Sequence, residues 1–303
     1  MHGAGRPGRP RRPPGGGPVS TDPGSTDAAR PLPPGPLAAA AERFTRALGD
    51  AGTVAVAFSG GVDSSVVVAL AARALGRDGV VAVLGVSPSL AADEHASARA
   101  TAAQVGVRLV EVRTLELDDP RYVANAGDRC YFCKHELYTR SFAEVVRAQG
   151  VDLLLNGDTA DDAVRGDRPG SRAAAELGVR RPLAEAGIGK RAVRELARAL
   201  GLAVWDKPSA PCLASRIPVH TPVTIGDLGR VERAEAGLRR LGLRELRVRH
   251  LGARARVELA AEGQAALADP AFAEAVRAAV RAGGSDAGGY DEVEIAAAPL
   301  RRD

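Results

Sequence analysis

The stretch TVAVAFSGGVDSSVVVALAARALG, residues 53–76, is where the fold is decided. Its first six residues form a short, continuous, β-branched apolar run, which reads as a strand buried on both faces. SSVVVALAARALG reads as a helix closed by Gly76. Between them stands SGGVDSS, residues 59–65. Gly60 and Gly61 let the backbone turn tightly and approach a ligand. The N–H groups of the turn and of the helix N-terminus then converge on one point, which makes an anion site. Ser59, Ser64 and Ser65 add hydroxyl donors. Asp63 would repel a phosphate on its own, so it is expected to orient the loop or to work with Mg²⁺. An ordinary turn with a serine cap would need none of this specificity. The stretch matches neither GxxxxGK[ST] nor GxGxxG.

Outward from this stretch, strands and helices alternate. LAAAAERFTRALGD reads as an amphipathic helix, VVAVLGV (80–86) as a strand and DEHASARATAAQVG as a helix. VRLVEV is a strand, KHELYTRSFAEVVRAQG a helix and DLLLNG a strand. This alternation predicts an α/β fold, a parallel sheet with helices on both faces. WDKPSAPCLASRIPVHTP is long, proline-rich and irregular, as functional loops tend to be. IGDLGRVERAEAGLRRLG then reads as a helix, ELRVRHLG and ARARVELA as strands, residues 270–283 as helical and YDEVEIA as a last strand. The pattern predicts a Pro/Gly/Arg-rich disordered tail over residues 1–36, an α/β domain over 37–220 and a small α+β domain over 221–303. There is no internal repeat.

The chain has 303 residues, 45% of them hydrophobic, and a formal net charge of +4. Only three of its 41 basic residues are lysines, Lys134, Lys190 and Lys207. Basic and acidic residues are interleaved and aromatics are only 3%, which argues against a nucleic-acid partner. No apolar run approaches the ~20 residues that span a bilayer, and the N-terminus lacks the apolar stretch of a secretory signal. A cytoplasmic protein with no membrane partner is expected. Three cysteines in such a chain point to metal or to reactivity.

Cys130 and Cys133 form a C-x-x-C at the start of a helix, and Cys212 lies in the long loop. Three thiolates can hold a [4Fe–4S] cluster with one iron open, can hold Zn²⁺ with a fourth ligand, or can pair a redox C-x-x-C with a separate nucleophile. Asn156, Asp158, Asp161 and Asp162, in NGDTADD, follow a parallel strand at the end where open α/β sheets bind ligands. They are expected to line an ATP or Mg²⁺ site, with capping of the next helix as the simpler alternative. His135 is expected to be an ordinary surface histidine.

SGGVDSS after a first strand resembles the PP-loop of the ATP pyrophosphatase group, adenine nucleotide alpha hydrolase-like proteins. Together with RCYFCK, the run from NGDTADDAV to PCLASRIP, and RVRHLGARARVE, it resembles the LarE family over about residues 40–295. The resemblance implies an ATP-dependent sulfur transferase of nickel-pincer nucleotide cofactor biosynthesis. Such an enzyme adenylates a carboxylate of pyridinium-3,5-biscarboxylic acid mononucleotide and installs sulfur as a thiocarboxylate. By position, Ser59, Gly60, Gly61, Asp63, Ser64 and Ser65 would hold ATP phosphates, with Asp158 and Asp161 nearby. Cys130, Cys133 and Cys212 would carry a sulfur-relaying [4Fe–4S] cluster and, with Asp63, would be catalytic. Arg216, Arg247 and Arg249 would take the substrate's phosphate and carboxylates, since guanidinium forks match such oxyanions. Arg247 and Arg249 share a strand face. Glu235 and Glu258 are weaker candidates for a divalent cation. Implied partners are the nucleotide substrate, further copies of the chain in a homo-oligomer, a sulfur donor and other proteins of the same biosynthesis. Two alternatives stand beside this reading: a PP-loop tRNA thiolase, and a sacrificial form of the same reaction in which Cys212 gives up its own sulfur. Where the family commonly reads Tyr-Gly-Thr, this chain has Val219, His220 and Thr221.

Overall fold

The computed structural model describes residues 31–164, 169–283 and 289–300. Most of the expected tail, residues 1–30, lies outside the described residues. The first helix, α1 (Pro36–Leu48), starts on a proline, whose missing N–H costs nothing at that position. β1 (Val54–Ala57), α2 (Val62–Leu75), β2 (Val80–Val86), α3 (Ala92–Val105) and β3 (Arg108–Arg113) follow as two crossover units between parallel strands. Next come α4 (Pro120–Ala124) and α5 (Arg129–Ser141), which runs on as a π-helical turn over Phe142–Arg147, and then β4 (Leu153–Leu155). The four strands form one parallel sheet in the order β3-β2-β1-β4. β1 is central, with Val54 opposite Val80 on one side and Leu153 on the other.

Strand alternation splits the core into two layers. Val54, Val56, Ala82 and Leu84 face a layer with α1 and α2, while Ala55, Ala57, Val81 and Val83 face a layer with α5. Every residue of α2 from Ser64 to Ala72 is buried. An all-apolar helix of this kind must be covered on several sides, and α1, α3 and α9 (Lys190–Ala199) do so. Before α9 lie three short helices, α6 (Ala160–Val164), α7 (Pro169–Glu176) and α8 (Pro182–Glu185).

Beyond α9 the chain is irregular, with a 3₁₀ turn over Leu213–Arg216. α10 (Ile225–Arg240) is capped by Thr224, whose hydroxyl accepts from the Asp227 N–H. β5 (Leu246–Leu251) and β6 (Arg254–Leu259) form an antiparallel hairpin, followed by α11 (Ala261–Ala266) and α12 (Pro270–Ala282). β7 (Glu292–Ile295) adds in parallel to β6. Leu238, Val248, Val257, Val276 and Val280 form the core of this unit. A separate small core joins Tyr122 of α4, Leu213, Ile217 and Val223 of the irregular segment, and Leu228 and Val231 of α10. Burying a side chain of this size is worth about 1.5–3 kcal/mol, so the irregular segment is anchored although it has little regular hydrogen bonding.

The α/β sheet and the small second sheet are as expected. α2 starts two residues earlier than the hydroxyl run suggested, which puts Asp63, Ser64 and Ser65 in its first turn. Helices α4, α6, α7, α8, α9 and α11 have no counterpart in the expected elements. Among the described residues no helix is long and apolar enough to cross a membrane.

Candidate active site

The loop after β1 is shaped by its own side chains. Gly60 has φ +71°, and a Cβ there would come within 2.7 Å of Cα and Cβ of Ala98 on α3. Only glycine fits both constraints. The Gly61 carbonyl accepts from the Ser65 hydroxyl at 2.8 Å, the Ser65 N–H at 3.0 Å and the Ser64 hydroxyl at 3.2 Å. Ser64 Oγ also accepts from the Ser59 N–H at 3.2 Å. Ser64 and Ser65 are buried and hold the turn, whereas Ser59 is exposed toward the space above it. The end of β4 closes one side: a Cβ on Gly157 would lie 2.9 Å from the Ser64 nitrogen. Buried Asn156 donates to Asp158 Oδ2 and to the Tyr138 hydroxyl, both at 3.1 Å, which fixes Asp158 beside the loop.

Lys190, at the first position of α9, reaches across to this loop. Its Nζ is 2.6 Å from Asp63 Oδ2 and 3.0 Å from Asp162 Oδ2. Asp162 Oδ2 also accepts from the Thr159 hydroxyl at 2.7 Å. Burial pushes the Asp162 pKa up, but the hydrogen bonds from Thr159 and Lys190 outweigh it and leave the carboxyl below its usual range. Burial likewise pushes Lys190 down, and Asp63 and Asp162 together hold it above the ordinary lysine value. Asp161 accepts from the Lys190 main-chain N–H at 2.5 Å. Asp63 Oδ1 is buried with no hydrogen-bond partner, an orphaned carboxylate oxygen that suits a divalent cation brought in with phosphates.

A cavity of about 540 Å³ opens over the loop, lined by Ser59, Asp63, Asp158 and Lys190 together with Cys130 and Lys134 from α5. The neighbouring Tyr138 phenol and Asp158 hold the Lys134 ammonium above the ordinary lysine range. Lys207 grips the loop from behind, with Nζ 2.8 Å from Glu94 Oε2, 2.9 Å from Ser97 Oγ and 3.4 Å from the Gly60 carbonyl. The expected site did not include the lysines. Their scarcity in an arginine-rich chain was the available signal, since all three stand at one loop.

Cys130 and Cys212 are exposed, and Cys133 packs against the small core under the irregular segment. Burial raises the Cys133 pKa, and Cys212 raises it further. Protein atoms crowding the Cys212 thiol raise its pKa too, and Cys130 adds to that against the opposing charge of Arg129. The three thiols are thus within electrostatic reach of one another. Among the described residues no three His, Cys, Asp or Glu side chains form a group that could hold a metal ion. Neither the zinc nor the cluster alternative therefore finds a ready-made set of ligands among the described residues.

The model of the asparagine synthase family matches residues 40–252. An uncharacterised protein of Synechocystis sp. is 42% identical over 221 residues, 73% of this chain and 81% of its own length. Pyridinium-3,5-bisthiocarboxylic acid mononucleotide synthase of Lactiplantibacillus plantarum, a LarE-family protein, is 37% identical over 224 residues, 74% of this chain and 80% of its own. The chain belongs to the LarE family. It is an ATP-using enzyme built on a PP-loop domain. A tRNA-specific 2-thiouridylase of Caulobacter vibrioides is more distant, 28% identical over 227 residues, 61% of this chain and 57% of its own.

In this LarE-family chain the arginines carried over by resemblance take different places. Arg216 is 4% exposed, and its guanidinium is fully engaged. Nε and Nη2 donate to the two oxygens of Glu235 at 2.8 and 3.1 Å, and Nη1 donates to the Pro211 carbonyl at 2.7 Å. It holds the Cys212 turn onto α10 and presents no free fork to a substrate. Glu235 is fully buried and also accepts from the Val248 N–H and Arg239, each at 3.1 Å, so it is an ion-pair hub with no oxygen free for a metal. Arg247 and Arg249 do share the less buried face of β5. Arg249 donates to Glu258 Oε2 and to the Ser215 carbonyl, both at 3.0 Å. Arg247 lines a second cavity of about 880 Å³ between α9, residues 205–210 and the start of β5. His220 has φ +67°, the left-handed conformation that a glycine takes without strain.

Proposed function

We propose that this protein adenylates a carboxylate of pyridinium-3,5-biscarboxylic acid mononucleotide with ATP, releasing pyrophosphate, and installs sulfur to give a thiocarboxylate. The Lactiplantibacillus relative is named for the doubly thiolated product, which supports this substrate. The observation that carries the chemistry is one cavity lined by both the phosphate loop and a thiol, Cys130.

The loop N–H groups and Ser59 bind the phosphates, and Asp63 would hold Mg²⁺ through its unpartnered oxygen. A substrate carboxylate oxygen attacks the α-phosphorus and pyrophosphate leaves. Carboxylate oxygen is a poor leaving group, whereas AMP attached to it is a good one. A sulfur nucleophile then takes the acyl carbon and AMP departs. Lys134 places a permanent positive charge beside this exchange, and Asp158 orients it. Arg247, from the second cavity, and Arg249, once it leaves Glu258 and the Ser215 carbonyl, would meet the substrate's oxyanions. Cys130, Cys133 and Cys212 would hold a [4Fe–4S] cluster through their thiolates. When bound it would supply an open iron that binds sulfide. A sulfur donor, sister proteins of the same biosynthesis and further copies of the chain are the partners of this reading.

The test is anaerobic reconstitution of wild type and Cys130→Ala, with iron, acid-labile sulfide, pyrophosphate and thiocarboxylate measured. About four iron and four sulfide per chain, lost in the variant along with repeated turnover, are expected. Thiocarboxylate formed once per chain without iron, with loss of the Cys212 sulfur, would replace the cluster by sacrificial chemistry. Absence of substrate-dependent pyrophosphate release would sink the adenylation itself.

A further inference from the structure

We propose that Lys190 is an internal counter-ion that a divalent cation displaces when ATP binds, and that the released ammonium then stabilises the departing pyrophosphate. The inference deepens the ATP-using reading of the same cavity and rests on it.

Lys190 bridges two carboxylates, with Nζ 2.6 Å from Asp63 and 3.0 Å from Asp162. Asp162 satisfies part of its need through Thr159 N–H and hydroxyl, at 3.1 and 2.7 Å. Asp63 depends more on the lysine, and its second oxygen is buried and unpartnered. Without a cation, these carboxylates would turn a phosphate-binding loop into a negative site. The ammonium suppresses that charge while the nucleotide is away. A divalent ion arriving with ATP meets Asp63 through the unpartnered oxygen. Two cations beside one carboxylate repel, so the weaker competitor is expelled.

The geometry lets the side chain move while the backbone stays. The Lys190 N–H is pinned by Asp161 Oδ2 at 2.5 Å, and a Cβ on Gly189 would meet the same oxygen at 2.6 Å. The side chain itself is 46% exposed along the cavity. A flexible stem with a compact charge can change partners, whereas an arginine fork would lock onto the carboxylates in bidentate geometry. That requirement explains a lysine in a chain with only three of them among 41 basic residues. Lys190 keeps its proton throughout. The covalent balance remains that of adenylation, with one bond formed to the α-phosphorus and one broken to pyrophosphate.

The experiment measures Mn²⁺ binding to the nucleotide-free full-length protein by electron paramagnetic resonance, then Mn²⁺–ATP binding and pyrophosphate exchange, for wild type, Lys190→Met and Lys190→Arg. Lys190→Met should bind Mn²⁺ alone about tenfold more tightly, because no ammonium competes. Its exchange rate should fall about 10²-fold, the scale of losing one charge-stabilising donor. Lys190→Arg keeps the charge and the fold, so it should bind Mn²⁺ no better than wild type and still lose exchange. Unchanged or weaker Mn²⁺ affinity in Lys190→Met, with wild-type Mn²⁺–ATP binding intact, overturns the displacement alone. Wild-type exchange by Lys190→Arg overturns the need for a mobile point charge. Failure of wild type to bind Mn²⁺–ATP overturns the ATP reading, and this proposal with it.

Discussion

Gly60 carries two constraints at once, a positive φ and a helix backbone 2.7 Å from where its side chain would begin. Gly60→Ala should therefore push α3 from the loop, at about 1–3 kcal/mol for the overpacking and a further 1–2 kcal/mol for the left-handed backbone. The expected result is a lower thermal midpoint with ATP binding lost, measured by calorimetry. Normal ATP affinity in the variant would show that the loop tolerates displacement. The glycines and hydroxyls of this loop were legible in the sequence because turn chemistry is local. The division of labour among the serines was not. Ser64 and Ser65 face inward and Ser59 outward, a consequence of which turn of α2 meets β4. The value of Lys190 was equally invisible, since its partners Asp63 and Asp162 lie 127 and 28 residues away along the chain.

At the level of elements, the Cys212 turn is held to α10 by one buried ion pair. Breaking such a pair by removing one partner costs about 3–5 kcal/mol, because it strands a charge. Arg239 and the Val248 N–H still meet Glu235 when Arg216 is gone, so Arg216→Met should destabilise the protein at the low end of that scale and free the turn. Cys212 should then react faster with a maleimide, followed by mass spectrometry under native conditions. The double variant Arg216→Met, Glu235→Leu removes the stranded carboxylate and should recover part of the stability, less the cost of about 1–3 kcal/mol for the buried Val248 N–H that loses its acceptor, yet keep the fast Cys212. A slow Cys212 in both variants would mean that the small apolar core, not the ion pair, fixes the turn. Long periodic elements such as α2 and α10 were legible from pattern alone. Short helices such as α6 and α8 were not, because four or five residues carry no periodicity and form only where neighbours pack on them.

At the scale of the molecule, the two sheets are joined through the small core of Tyr122, Leu213, Leu228 and Val231, and buried His250 on β5 fixes the C-terminal unit internally. Its Nε2 lies 3.4 Å from Asp227 Oδ1 and its Nδ1 3.2 Å from the Tyr290 hydroxyl, with Arg230 close to both partners. Burial lowers the His250 pKa below its usual 6.5, more than Asp227 raises it, and Arg230 lowers it further. The unfolded chain then binds a proton that the folded chain resists. The stability from neutral His250 is full above pH 6.5 and is lost as pH falls below it. Denaturant unfolding from about pH 8 to about pH 5 should show this loss, and His250→Gln should flatten it. An unchanged slope in the variant would assign the pH dependence elsewhere.

The sequence by itself determined the parallel α/β sheet, the phosphate loop and the family, because these depend on periodicity, turn chemistry and contiguous motifs. Only the tertiary structure decided which charged groups are free to act. Arg216 and Glu235 looked like ligands and are spent on each other, whereas Lys134, Lys190 and Lys207 looked like scattered charge and meet at one loop. The physical reason is that an ionisable group's role depends on what lies within a few ångströms of it. In a crossover fold those neighbours come from distant parts of the chain.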